Sequence, residues 1–327
     1  MDLNSPRIND VRTLRERLDP WLVRTPVIQC AALEAASGAR VYAKLEFLQR
    51  TSTFKPRGAL AVMLALDAQQ RATGVTAVSA GNHAIAVAYA ARELGISAKV
   101  VMLKTASPLR MERCRAYGAT LVLADDAHSA FEMAADIQRR EGRYFVHPFE
   151  GPLTTLGTAT LGLEICEQLP EFDAVLVPIG GGGLCSGVAA AVKQLRPQAQ
   201  VFGIEPAGAD TMHRSFASGT PERIDSVQTI ADSLGAPFAM PYSYAVCKRH
   251  VDELVKLSDE QLRSAMRLLF EEMHMVVEPA CAASTAALLG PLREHLAGKT
   301  VVLVMCGSNI DWLTWERQAL GGMLNAV

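Results

Sequence analysis

Short runs of apolar, often β-branched residues alternate along this chain with longer stretches rich in alanine and leucine. The runs predict strands at 41–47, 76–80, 98–103, 120–124, 174–179, 200–205 and 300–305. The stretches between them predict helices at 56–71, 82–94, 107–117, 127–140, 155–168, 183–195, 258–274 and 280–296. A run such as AVLVPI (174–179) or TVVLVM (300–305) is apolar on both faces, so both faces need a cover. Strands of this kind separated by helices predict an α/β fold with a mainly parallel sheet flanked by helices. In such sheets ligands collect at the carboxyl ends of the strands, where loops lead into helices.

A chain of 327 residues is long for one core and points to two domains or one large α/β unit. Half of it is apolar and 20% is charged, as in an ordinary globular protein. A formal net charge of −2 supplies no basic field for nucleic acid or an anionic membrane. No apolar run reaches the roughly 18 residues that would suggest a membrane-spanning helix. The N-terminal stretch MDLNSPRINDVRTLRERLDP is polar and carries acids, unlike a secretory signal. The seven cysteines (30, 114, 166, 185, 247, 281 and 306) are scattered, odd in number and free of CxxC. That pattern predicts neither a disulfide framework nor a zinc cage, and fits a reducing cytoplasm.

The loops after the strands carry the chemistry. TSTFKPRGA (51–59) sets Lys55 between an aromatic residue and a proline at a helix start, an unusual place for a side chain that is mostly solvated. After TAVSA comes GNHAIAVAYAARELG, where Ser79, Asn82 and His83 gather polar groups at a strand-to-helix corner with free backbone N–H groups. After AVLVPI comes GGGGLCSG (180–187). Four glycines before a helix can wrap amides around an anion, and a single phosphate fits better than a diphosphate. The stretch lacks GxxxxGK[ST] and does not sit where a dinucleotide fold keeps its GxGxxG. After TVVLVM comes CGSNID, which brings Cys306 to a strand end.

A lysine, a polar corner and a phosphate cradle, in this order, resemble the fold-type-II pyridoxal phosphate enzymes, which are similar to the tryptophan synthase β fold. The nearest resemblance is to the threonine/serine dehydratase and serine racemase group. It rests on KLEFLQRTSTFKPRGA, SAGNHAIA, GGGGL and CGSN, and also on HPFEGPLTTLGTATLGLEI (147–165), GIEPAGAD (203–210), TIADS (229–233) and VEPACAAS (277–284). These span almost the whole chain. The resemblance implies two domains, each with a mainly parallel sheet flanked by helices. The large one, residues 1–73 and 150–327, would bind pyridoxal 5'-phosphate, and the small one, 74–149, would lie on the substrate side. It also implies a homodimer. Lys55 would carry the cofactor and take the substrate α-proton. Phe54 would pack on the ring and Asn82 would hydrogen-bond its phenolic oxygen. Gly180, Gly181, Gly182, Gly183 and Leu184 would hold the phosphate by backbone N–H, and Cys306 would face the pyridine nitrogen. Ser79, Asn82 and His83 would bind the substrate carboxylate.

The activity implied is dehydration and deamination of a β-hydroxy amino acid to a 2-oxo acid and ammonia. Threonine or serine leads as substrate, with hydroxyaspartate and phenylserine also open. The alternative is a serine or threonine racemase. Racemases of the group hold a second acid just before the glycine of the asparagine loop, and here that position is Ala80. The lyase reading therefore leads. Ile85 and Ser233 replace a glutamine and a glycine. A divalent-cation site in some relatives uses the glutamate of "EP", here Glu205, with Ala209 beside it and an acid six residues on. That last position is Thr211, with Asp210 one place off, so the resemblance does not fix a cation. The chain length leaves no room for a regulatory domain of the biosynthetic threonine deaminases, so feedback control through one is not expected.

Overall fold

The computed structural model describes residues 4–321. Ten strands form two sheets: β1 (Val27–Gln29), β2 (Arg40–Leu45), β3 (Val75–Val78), β4 (Ala98–Leu103), β5 (Thr120–Ala124), β6 (Tyr144–Phe145), β7 (Ala174–Pro178), β8 (Gln200–Pro206), β9 (Glu253–Leu257) and β10 (Thr300–Met305). One sheet runs in the order β1-β2-β10-β7-β8-β9, the other β5-β4-β3-β6. Every pairing is parallel except β1 on β2.

The seven strands expected from the apolar runs are all present. The three that the runs did not reveal are short or lie at a sheet edge. β1 and β6 have three and two residues, and β9 (ELVKL) lies at a sheet edge with Glu253 and Lys256 exposed. β7 is buried throughout, as its continuous apolar run requires. Two expected helices are each divided. The 56–71 stretch breaks into Pro56–Leu64 and Ala68–Thr73, because Asp67 forms a capping box with Gln70 and starts a new helix. The 280–296 stretch breaks at Gly290 into Pro279–Leu289 and Arg293–Leu296. Helices at Ile8–Leu18, Ala31–Ser37, Thr211–Ser218, Pro241–His250 and Trp312–Leu320 add to those expected. Among the described residues no helix is long and apolar enough to cross a membrane.

One apolar core surrounds the six-stranded sheet and a second lies between the four-stranded sheet and its helices. A buried ionic cluster fastens the helices behind the larger sheet. Arg57, fully buried, donates to both oxygens of Glu46 and both oxygens of Glu164 at 2.8–2.9 Å. Lys44 Nζ donates to Glu164 Oε2 at 2.7 Å, and Arg15 Nε to Glu164 Oε1 at 2.8 Å. Burial alone would raise the Glu164 carboxyl, but Arg57 and Lys44 beside it hold it down at about 2.

Candidate active site

The carboxyl ends of β3, β4, β7 and the residue after β10 meet at a cavity of about 300 Å³, lined by Val78, Leu103, Pro178 and Cys306 among others. Lys55, Phe54, Ser79, Asn82, His83, Gly180, Gly181, Gly182, Gly183, Leu184 and Cys306 all line it. Residues from positions 54 to 306 are thus gathered by the strand ends, as parallel sheets do.

Lys55 is placed by two devices. It occupies the N-cap position of Pro56–Leu64, with Pro56 setting the first turn. The segment before it is stitched to the end of β10: Thr53 bridges Gly307, and Phe54 N–H donates to the Cys306 carbonyl at 3.2 Å. Its Nζ donates to the Pro148 carbonyl at 2.6 Å. Burial pushes the amine down to about 8, against the opposing pull of Cys306 and Glu278.

The glycine loop is a set of unpaired donors. The N–H groups of Gly180 through Cys185 have no acceptor among the described residues, and no side chain caps Gly183–Leu195. Most of the loop is buried. Buried amides without partners at a helix N-terminus call for an anion. Gly182 sits at φ +91°, a conformation that favours glycine, and a Cβ on Gly181 would fall 2.3 Å from the Phe149 ring. The second corner repeats the arrangement. The Asn82–Glu93 helix has no side-chain cap, and the N–H groups of Asn82, His83 and Ala84 have no acceptor among the described residues. Ser79 Oγ accepts from Gly81 N–H at 3.1 Å. Burial, with Lys55 nearby, pushes His83 down to about 3, so its ring is neutral and Nε2 donates to the Val146 carbonyl at 2.8 Å.

Asn82 lies in a network. Its Nδ2 donates to Glu278 Oε1 at 2.7 Å and to Ser233 Oγ at 3.2 Å, and its Oδ1 accepts from Asn309 Nδ2 at 2.7 Å. Both amide hydrogens are therefore engaged, and any further acceptor must displace Glu278 or Ser233. Glu278 Oε2 is buried with no hydrogen-bond partner, and burial pushes its carboxyl up despite Arg110 Nη2 at 3.8 Å. Cys306 is buried. A hydrogen bond with Cys281 and burial raise its thiol well above the ordinary value, so it presents a neutral group to the cavity.

Sequence reasoning did not single out Glu278, Arg110, Asp232, Phe131, Phe149 or Phe238, which also line the cavity. Glu278 stands within VEPACAAS and Asp232 within TIADS, so their motifs were visible while their part in the site was not. Glu205 and Ala209 lie outside the cavity. The Glu205 carboxylate accepts from the N–H groups of Met212 and His213 and pairs with His213 Nδ1 at 2.7 Å, which caps Thr211–Ser218. Asp210 pairs with Arg214 and Lys256. Among the described residues no three His, Cys, Asp or Glu side chains cluster to hold a metal.

Unpaired loop amides answer a phosphate, and a buried amine poised near neutrality answers an aldehyde. A phosphate-bearing aldehyde cofactor fits this donor set. Residues 18–307 match the family described as "Pyridoxal-phosphate dependent enzyme". The chain is 56% identical to a phenylserine dehydratase of Ralstonia pickettii, over 95% of this chain and 96% of that one. It is 37% identical to an L-threonine ammonia-lyase of Thermotoga maritima, over 93% and 76%. The structure of maize serine racemase superposes with a TM-score of 0.91 at 32% identity, covering 99% of both chains. Two mainly parallel sheets meeting at an amine and an anion cradle thus have the fold-type-II architecture of these relatives, and the chain belongs to the pyridoxal phosphate-dependent enzymes.

Proposed function

We propose that this enzyme is an ammonia-lyase that dehydrates and deaminates a β-hydroxy amino acid with an apolar β-substituent, 3-phenylserine foremost, giving a 2-oxo acid and ammonia. The observation that carries it is the make-up of the cavity wall: among the described residues Lys55 is the one lysine there, and Ala80 brings no proton carrier to the corner beside Gly81. The phenylserine dehydratase relative supports the same choice.

Bound pyridoxal phosphate supplies the electron sink that acidifies the α-proton of an amino acid. The chain does the rest. The unpaired amides of Gly180–Leu184 would hold its phosphate and Phe54 would pack on its ring. The Asn82–Ala84 amides and Ser79 receive the substrate carboxylate. Lys55, whose amine burial holds near 8, takes the α-proton. The thiol of Cys306, being neutral, would put no negative charge against the cofactor ring, which would leave it a moderate electron sink.

The carboxylate corner belongs to a small unit, 74–149, and Lys55 and the glycine loop to a large one, 1–73 with 150–327. Seven free, buried cysteines suit the cytoplasm, and a homodimer is the assembly proposed. The test is a panel of 3-phenylserine, L-threonine, L-serine and 3-hydroxyaspartate, assayed for 2-oxo acid, ammonia and the chirality of residual substrate. Oxo acid and ammonia in equal amounts with little inversion are expected. Inversion faster than elimination would overturn the lyase reading in favour of a racemase.

A further inference from the structure

The apolar end of the cavity has a composition that a methyl group does not need. From the small sheet it receives Val101 and Leu103 of β4, and Ala130 and Phe131 of the Ala127–Glu141 helix. It also receives Phe149 and Phe238. The three rings form a chain: Phe131 to Phe238 at 6.2 Å and 60°, Phe238 to Phe149 at 5.9 Å and 51°. Such tilted pairs present ring edges and faces at the spacing that a further aromatic ring accepts. Phe149 is braced from behind by His147, edge-on at 4.6 Å, and by the close approach of Gly181.

The charged groups around the cavity do not serve this end. Arg110 is tied to Asp232 and donates to the Asn309 carbonyl at 3.0 Å, so among the described residues no free cation answers a side-chain carboxylate there. Phe131 is 37% exposed, which leaves the wall open toward solvent at the helix side.

Building on the lyase reading above, we infer that Phe131 and Phe238, with Phe149, are the specificity-determining wall for an aryl β-substituent, received between the small sheet's helix and the loop after Pro237. The substrate class is then the β-aryl-β-hydroxy amino acids. Threonine fills only part of this end, and hydroxyaspartate would set a carboxylate against apolar ring surfaces without a cationic partner.

The test uses cofactor-loaded Phe131→Ala and Phe238→Ala, with Phe131→Leu and Phe238→Leu as conservative partners that keep the fold should either alanine variant fail. Both alanine variants should raise KM for 3-phenylserine about 10- to 100-fold, the range for lost apolar contact in a pocket, with kcat far less affected. The leucine variants should recover most of the loss. Calorimetry with L-phenylalanine, which has no β-leaving group, should show the same order of affinities while L-2-aminobutyrate shows none. KM within threefold of wild type in both alanine variants, or a fall in kcat alone, overturns the assignment and leaves the lyase reading standing. A wild type that converts threonine but not 3-phenylserine overturns it equally. Absence of 2-oxo acid from every β-hydroxy amino acid would instead refute the lyase reading itself.

Discussion

Lys55 draws its chemistry from what surrounds it. An ordinary lysine amine stays protonated until about pH 10.5, while burial holds this one near 8. The free amine is the nucleophile toward an aldehyde, so cofactor uptake by the apoenzyme should climb with pH and level off just above 8. The rise of the cofactor's bound-state absorbance after mixing measures it, and a climb continuing toward 10.5 would show an amine unperturbed by burial. Lys55→Ala should lose elimination by many orders of magnitude with little change in melting temperature. Ala80 makes the complementary case at the other corner. A hydroxyl placed there by Ala80→Ser can return a proton to the opposite face of the substrate. Chiral assay of residual substrate should then show more inversion per turnover than in wild type, and an unchanged ratio would mean that position 80 does not set the balance of inversion and elimination.

At the scale of elements, the site is a set of loops whose shape is fixed by what packs under them. Gly181→Ala must displace the Phe149 ring, since the new Cβ would lie 2.3 Å from it. The phosphate loop moves with it, so cofactor should dialyse away several-fold faster than from wild type. Full retention, read from absorbance per chain, would reduce the loop to a turn. The same scale explains what could be read from the sequence. β7 and β10 announce themselves because both their faces are buried, and the glycine run after β7 names its own task. β9 does not, since ELVKL is a five-residue edge strand that mixes charged, exposed positions with buried apolar ones. The break at Asp67 was legible as a capping box, D-A-Q-Q, yet the apolar periodicity ran through it. Phe131, Phe149 and Phe238 stand in three separate segments, and nothing local marks them as neighbours. Only the approach of the two sheets makes them one wall. Glu278 is similar: Pro279 after it reads as a helix start, and its buried contact with Asn82 is a tertiary fact.

The whole molecule is fastened behind the site by the cluster around Glu164, which joins the Ile8–Leu18 helix, β2, Pro56–Leu64 and Pro152–Gln168. The arrangement places Arg57, two residues from Lys55, under full burial, so the lysine's helix cannot shift without breaking it. Glu164→Gln leaves Arg57 and Lys44 buried beside a neutral amide and should cost about 3–5 kcal/mol at pH 7, as breaking a buried pair does. The pH dependence follows from the sign of the shift. The Glu164 carboxyl is held at about 2 in the folded chain against 4.5 ordinarily, so its contribution is complete above about 4.5 and is lost as pH falls toward 2. Glu205 and Glu278 act in the opposite sense, because burial raises both, but they are common to wild type and variant and cancel in the difference. Urea unfolding of both proteins at pH 7, 5 and 3 measures that difference. It should stay constant between pH 7 and 5 and narrow at pH 3, where the unfolded wild type takes up a proton that the folded chain still refuses. A gap unchanged at pH 3 would mean that Glu164 contributes packing and hydrogen bonds to this cluster, and no charge.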